Sequence, residues 1–251
     1  MFFGIASGAL ALPDRPVAVQ LHDIETLNRM ALSGLLDISK LSIFAWLKSR
    51  DTYRLMRSGA ALGYGCGPIL IARRGLTPAE IVRSRVVLPG EWTTAHLLFR
   101  LWAPEAGQRY FTVYHRIYDE LVSGRADCGV IIHESRFTYE QHGFRSIIDL
   151  GRWWEEQTGL PVPLGCIAGR AALGPELLQA VDGLLQRSIE AAQQNPDAAL
   201  PYIRRYAQEM DPDILRKHIA TFVNSFSLDI GPTGLRAVDT MEQRARAIGV
   251  L

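Results

Sequence analysis

Gly129-Val130-Ile131-Ile132-His133-Glu134-Ser135-Arg136-Phe137-Thr138-Tyr139 is the stretch around which the rest of the chain falls into place. Strand-like apolar sequence stops abruptly at a histidine, a glutamate, a serine and an arginine. A short apolar run opened by Gly129 reads as a buried parallel strand, and in open α/β sheets ligands gather at the carboxyl ends of such strands. Imidazole is the side chain that most readily takes a proton near neutral pH, so His133 at that end is a candidate general base. The competing reading is a hydrogen-bonded structural histidine, the commoner fate of a lone one.

Outward from this run, strands and helices alternate. Val17-Ala18-Val19-Gln20-Leu21 predicts a strand, and Asp23 predicts a cap for a helix reaching about Leu32, with Glu25 in its first turn. Residues 36–42 predict a short strand running into a helix that carries Phe44, Ala45 and Trp46. Residues 53–57 and 68–72 predict further strands on either side of Gly63-Tyr64-Gly65-Cys66-Gly67. That glycine-rich segment lacks the lysine and the following helix of a phosphate loop.

A second unit opens near Arg85. It has a strand at 86–88, a Pro89-Gly90 turn and a helix from Thr93-Thr94 through Leu101. A helix at 115–123, strands at 128–132 and 145–149, and a helix at 150–158 come next. Such alternation predicts α/β layers with largely parallel sheets. After the extended segment 161–168, the chain reads as helix after helix from Pro175. Pro175, Pro196 and Pro212 stand at first helical turns, with Asn195 and Asp211 as caps. The expectation is an α/β fold of two lobes with the ligand cleft between them. Residues 1–84 and 161–251 form one lobe with a helical carboxyl-terminal tail, and residues 85–160 form the other.

Composition narrows the function classes. The 251 residues are 48% hydrophobic and 21% charged, as in ordinary globular proteins, and the formal net charge of +1 gives no reason to expect nucleic acid or an anionic membrane as partner. Lys40, Lys48 and Lys217 are the only lysines beside an abundance of arginine, so a lysine at a special position is not surface filler. Cys66, Cys128 and Cys166 are odd in number and widely spaced, which fits reduced thiols in a cytoplasmic protein rather than disulfides or a zinc site. No window approaches a membrane span. Met1 to Leu10 lacks the charged start of a signal peptide and reads as a helix of the folded domain.

Two further segments are candidates for the cleft. Ser39-Lys40-Leu41-Ser42, at a strand end and helix start, offers an ammonium, a hydroxyl and unpaired N–H groups to a carboxylate; a helix cap with a solvated lysine is the plainer reading. Gly90-Glu91-Trp92-Thr93-Thr94 places two hydroxyls at a helix amino end, an anion cradle or simply a pair of caps. His22 beside Asp23, and Asn224-Ser225-Phe226-Ser227 in the tail, are weaker candidates. Trp153 and Trp154 read as packing residues.

Taken together, these segments resemble the 1,4-dihydroxy-6-naphthoate synthases of the futalosine route to menaquinone. The resemblance runs through nearly the whole chain. It is carried by Asp37-Ile38-Ser39-Lys40-Leu41-Ser42, by Gly59-Ala60-Ala61-Leu62-Gly63 with Gly65 and Gly67-Pro68, and by Pro89-Gly90 with Thr93-Thr94-Ala95. It continues through Ile131 to Tyr139, Asp149-Leu150-Gly151 with Trp153-Trp154-Glu155, Gly159-Leu160-Pro161 with Pro163-Leu164-Gly165, and Val223-Asn224 with Phe226-Ser227-Leu228-Asp229.

The resemblance implies the two-lobe fold of type II periplasmic solute-binding proteins. It implies a lyase that converts cyclic dehypoxanthinylfutalosine into 1,4-dihydroxy-6-naphthoate and dihydroxyacetone without a metal or organic cofactor. It implies His133 as general base, Lys40, Leu41 and Ser42 as one substrate-binding segment, and Thr93 and Thr94 as another. The chain departs from the family at its start, where a strand and a Ser-Pro-Cys-Pro-Asn-Asp-Thr-type loop would precede Met1-Phe2-Phe3-Gly4; a start codon assigned late is the expectation. A non-catalytic solute-binding protein for a small carboxylate, and the related chorismate dehydratase, are the alternatives.

Overall fold

The computed structural model describes residues 1–13, 15–206 and 211–251. Its first elements are α1 (Phe3–Ala6), α2 (Ile24–Leu32), β1 (Ile38–Ser42), α3 (Ile43–Ser49), β2 (Tyr53–Leu55) and β3 (Ala61–Gly63). Next come β4 (Ile69–Ala72), α4 (Pro78–Arg83), β5 (Val86–Leu88), α5 (Thr94–Trp102), β6 (Arg109–Phe111), α6 (Ile117–Val122), β7 (Cys128–Ile131), β8 (Arg145–Asp149) and α7 (Leu150–Thr158). The long strand β9 (Val162–Arg170) leads into α8 (Pro175–Gln194), α9 (Pro196–Tyr206), α10 (Pro212–Phe222), α11 (Ser225–Leu228) and α12 (Gly231–Ala247).

Two sheets result. In the first, β9 is central and pairs antiparallel with β1 on one edge and with β2 and β3 on the other. In the second, the order is β6-β5-β7-β4-β8; β6, β5 and β7 run parallel, and β4 runs against both its neighbours. The largely parallel arrangement expected from the alternation is therefore confined to three strands. β4 and β9 are the segments on which the chain crosses between sheets, and each enters its sheet antiparallel to its partners. β4 pairs with β7 and β8 of the second sheet, so residues 69–72 are hydrogen-bonded into it.

The crossing is tight. A Cβ at Gly67 would lie 2.1 Å from the Cα of Gly151, so the chain entering β4 and the start of α7 touch backbone to backbone. β5 and β7 have the uniformly buried apolar residues of strands covered on both faces. Trp154 is fully buried and donates from its indole N–H to the Pro161 carbonyl at 3.1 Å, the packing role expected of it.

Residues 17–21 form no strand. Val17, Val19 and Leu21 are 46%, 39% and 50% exposed and line a shallow groove with Ile5 of α1 and Tyr202 of α9. The alternating pattern is real, but it faces helices and solvent where no strand edge stands to receive it. No helix among the described residues is long and apolar enough to cross a membrane.

Candidate active site

The pairs Val86↔Cys128 and Val87↔Gly129 align β5 and β7 in parallel, so the segments leaving both strands emerge at one edge of the second sheet. After β5 come Pro89 to Thr94; after β7 comes His133. β6, parallel to β5, brings Tyr114 to the same edge, and the antiparallel β4 brings its amino end, with Gly67 just before it.

His133 stands in the left-handed region, with φ of 57°, the only non-glycine residue so placed among those described. The turn His133–Phe137 is anchored at each step. Arg136 donates to Asp149 Oδ2 at 3.0 Å and to the Gly67 carbonyl, and both ends of that ion pair are largely shielded. Tyr118 donates to the Ser135 carbonyl at 3.1 Å. Phe137 lies under the Lys217 ammonium, 4.8 Å from its ring centre. The Glu-Ser-Arg-Phe sequence thus holds the imidazole in a backbone conformation it would not adopt alone.

Four rings surround the spot. Tyr114 and His133 meet at a steep angle with 4.9 Å between ring centres, His218 of α10 lies nearly parallel to His133 at 6.0 Å, and Phe222 packs on His218 at 4.7 Å. Glu134 lies between Tyr114, whose hydroxyl is 3.5 Å from Oε1, and His218, whose Nδ1 is 3.6 Å from Oε2. Withdrawal from water, the Lys40 charge and His218, in that order, push His133 down to about 3. Withdrawal from water and then Lys40 push His218 down to about 4. Lys40 itself is lowered by its own withdrawal from water. Both imidazoles are therefore neutral at physiological pH, and a bound carboxylate would favour the charged form of Lys40.

Among the residues picked from the sequence, Lys40 and His133 come together electrically, although they belong to different sheets. Leu41 is fully buried in the core. Ser42 forms a reciprocal pair with Asn28, its N–H donating to Oδ1 at 2.9 Å and its hydroxyl accepting from Nδ2 at 3.1 Å. Thr93 caps α5 by accepting from the His96 N–H at 3.2 Å while donating to the Gly90 carbonyl. Thr94 donates to the Leu164 carbonyl at 2.7 Å and accepts from the Phe44 N–H at 3.3 Å. Both hydroxyls are thus committed within the protein.

The segment is nonetheless an anion cradle, and its occupant is Glu25. That carboxylate accepts from the N–H groups of Glu91 at 3.1 Å and Trp92 at 3.0 Å. A Cβ at Gly90 would come within 2.6 Å of it. Asp23 caps α2 as expected. His22 is exposed, 3.5 Å from the Gln20 side chain. Asn224 caps α11 and donates to the Leu62 carbonyl at 2.8 Å, while buried Ser227 donates to Ala60, so this segment pins the tail to β3.

Nothing in the sequence singles out His218, Tyr114 or Glu25 for this site. His218 stands next to Lys217 on an amphipathic helix with nothing in its spacing to mark it, and only the packing of α10 against the 133–137 turn and β3 reveals it.

The curated 1,4-dihydroxy-6-naphthoate synthases of Thermus thermophilus and Streptomyces coelicolor are 44% and 37% identical to this chain, each match spanning 100% of it and 90% of the relative. The crystal structure of protein AF1704 from Archaeoglobus fulgidus superposes with a TM-score of 0.94 at 29% identity, over 100% of this chain and 93% of that one. The ligand-binding component of an ABC-type import system from Staphylococcus aureus superposes with a TM-score of 0.65 at 13% identity, over 96% and 86%. The last shares the fold alone, that of periplasmic-binding-protein-like solute receptors. A sequence profile described as "Menaquinone biosynthesis" matches residues 1–247, and with it the full-length likeness to two synthases places the chain in the menaquinone biosynthesis family.

Proposed function

We propose that this protein is a carbon–carbon lyase that converts cyclic dehypoxanthinylfutalosine into 1,4-dihydroxy-6-naphthoate with release of dihydroxyacetone. The observation that carries the reading is the neutral His133 at the end of β7, held at a positive φ within reach of the Lys40 charge. His133 takes a hydroxyl proton of the sugar-derived part of the substrate and opens its ring, and aromatisation drives the fragmentation. Lys40, with Leu41 and Ser42 shaping the strand that presents it, meets the substrate's carboxylate or hydroxyls from the first sheet. Thr93 and Thr94 contribute from the α5 end through backbone N–H groups, because their hydroxyls are already engaged. Closure of the lobes excludes water and aligns the base. The three buried free thiols suit a cytoplasmic setting.

The solute-receptor fold favours one rival, a protein that binds a small carboxylate without turning it over. Incubation of the wild type and of His133→Ala with cyclic dehypoxanthinylfutalosine, with products resolved by mass and retention, separates the two. The synthase reading expects 1,4-dihydroxy-6-naphthoate from the wild type, and ligand binding without turnover from the variant. Binding by both with product from neither installs the rival. Turnover of chorismate in a parallel incubation would replace the assignment with the dehydratase.

A further inference from the structure

We infer that His218 is a second proton-transfer residue of this site, returning to the aromatising fragment the proton that His133 removes. The inference rests on the lyase reading above. In that reaction one molecule becomes two with nothing added, so protons must balance. Loss of a hydroxyl proton lets that carbon become the carbonyl of the departing dihydroxyacetone as the C–C bond breaks. The bonding pair passes into the ring that becomes aromatic and ends as negative charge on a naphthol oxygen, which needs a proton. The points of removal and return are different atoms, and two imidazoles side by side serve both.

The geometry provides the pair. His218 projects from the middle of α10, a helix that packs on both the 133–137 turn and β3 and so spans the two sheets at the cleft. Its ring lies nearly parallel to that of His133, 11° apart in plane and 6.0 Å between centres. Phe222 packs on it with 4.7 Å between ring centres, and the Glu134 carboxylate lies 3.6 Å from Nδ1, an ion-pair distance once the ring is protonated. The side chain keeps 28% of its surface open, enough to meet a ligand. The charged and titratable groups around it are His133, Glu134, Tyr114, Lys40 and, on its own helix, Lys217 beside Phe137. Because the surroundings disfavour a cation, an imidazolium formed there gives its proton up readily. One proton is carried per turnover, from the substrate hydroxyl to His133 and from His218 to the naphthol oxygen, relayed between the two rings by the substrate's own hydroxyls, and both imidazoles finish neutral.

The test is turnover of cyclic dehypoxanthinylfutalosine by wild type, His218→Asn, His218→Gln and His133→Ala, with thermal melts to verify folding of each. If His218 returns the proton, kcat of the His218 variants falls by roughly 100-fold or more while KM moves little. Free imidazole added to the folded His218 variants restores part of the lost kcat, because a proton carrier in solution replaces the missing ring. His133→Ala forms no product, and the rescue of the His218 variants by imidazole is what a merely structural role for His218 would not predict. Either folded His218 variant within about threefold of wild-type kcat overturns the inference while leaving the lyase reading intact. An inert wild type takes down the lyase reading, and this inference with it.

Discussion

His133 holds its φ of 57° against the preference of every residue with a Cβ. That strain can be weighed apart from the chemistry. His133→Ala and His133→Gly both delete the imidazole, but only glycine accepts the left-handed conformation without penalty. The glycine variant should be the more stable by about 1 kcal/mol in urea denaturation, after allowing for its greater freedom when unfolded. Equal stability would mean that the turn relaxes when the ring is gone. At the same residue, the low pKa of about 3 means that protonation of His133 does not limit kcat/KM as the pH falls through the ordinary histidine value of 6.5. Lys40→Met removes one cause of the lowering, so the acid limb should move up towards that value; an unmoved limb would assign it to another group.

At the level of elements, the joint between α2 and the start of α5 is made by one carboxylate. Glu25 receives two backbone N–H groups of the 90–92 turn and lies 3.1 Å from the Arg29 guanidinium, which also reaches Glu91 at 2.9 Å. Glu25→Ala leaves both amides without their acceptor and should cost about 1–3 kcal/mol, read as a lower urea midpoint, whereas Glu25→Gln keeps an acceptor and much of the stability. If the turn positions Thr93 and Thr94 for substrate, KM rises in the alanine variant more than kcat falls. The sequence marks Glu25 only as a first-turn acid of α2, because its partners lie more than sixty residues away.

The same limit explains the other differences between pattern and fold. β5 and β7 were legible because apolar runs ended at turns or polar residues. The direction of β4 was not, since a buried apolar strand reads alike whichever way it runs. β6, three residues long, is too short for a periodic signal, and β3 is hidden at the edge of a glycine-rich segment. Residues 17–21 alternate as a strand would and pair with nothing, because pattern specifies a face and not a partner. His133 could be picked out because a strand points to its own carboxyl end. His218 reaches it from the tail, through tertiary packing alone.

Over the whole molecule, three histidines are held neutral by burial: His96 down to about 4, His133 to about 3 and His218 to about 4, all from 6.5. Their native pKa values lie below the unfolded one, so between 6.5 and about 4 the unfolded chain binds more protons than the native state. Their contribution to stability is complete above that window and is lost as pH falls through it. Melting temperatures should therefore drop steeply on acidification. His96 is buried against Phe44 and Phe111, its Nδ1 donating to the Glu91 carbonyl at 2.7 Å. His96→Asn keeps a donor there and should flatten the acid slope; an unchanged slope would show that carboxylates govern it.

Cys66, Cys128 and Cys166 are all buried, and burial pushes the first two thiols up to about 12 and the third higher still. A maleimide added to the native protein should find nothing to modify. The chain therefore comes ready for fluorophore pairs: one cysteine introduced on exposed Arg216 of α10 and another on exposed Val122 of α6 would be the only labelled sites. Energy transfer between them would report whether the cleft narrows when a carboxylate ligand enters. The silent thiols would meanwhile serve as an internal clock, reacting only as fast as each molecule unfolds.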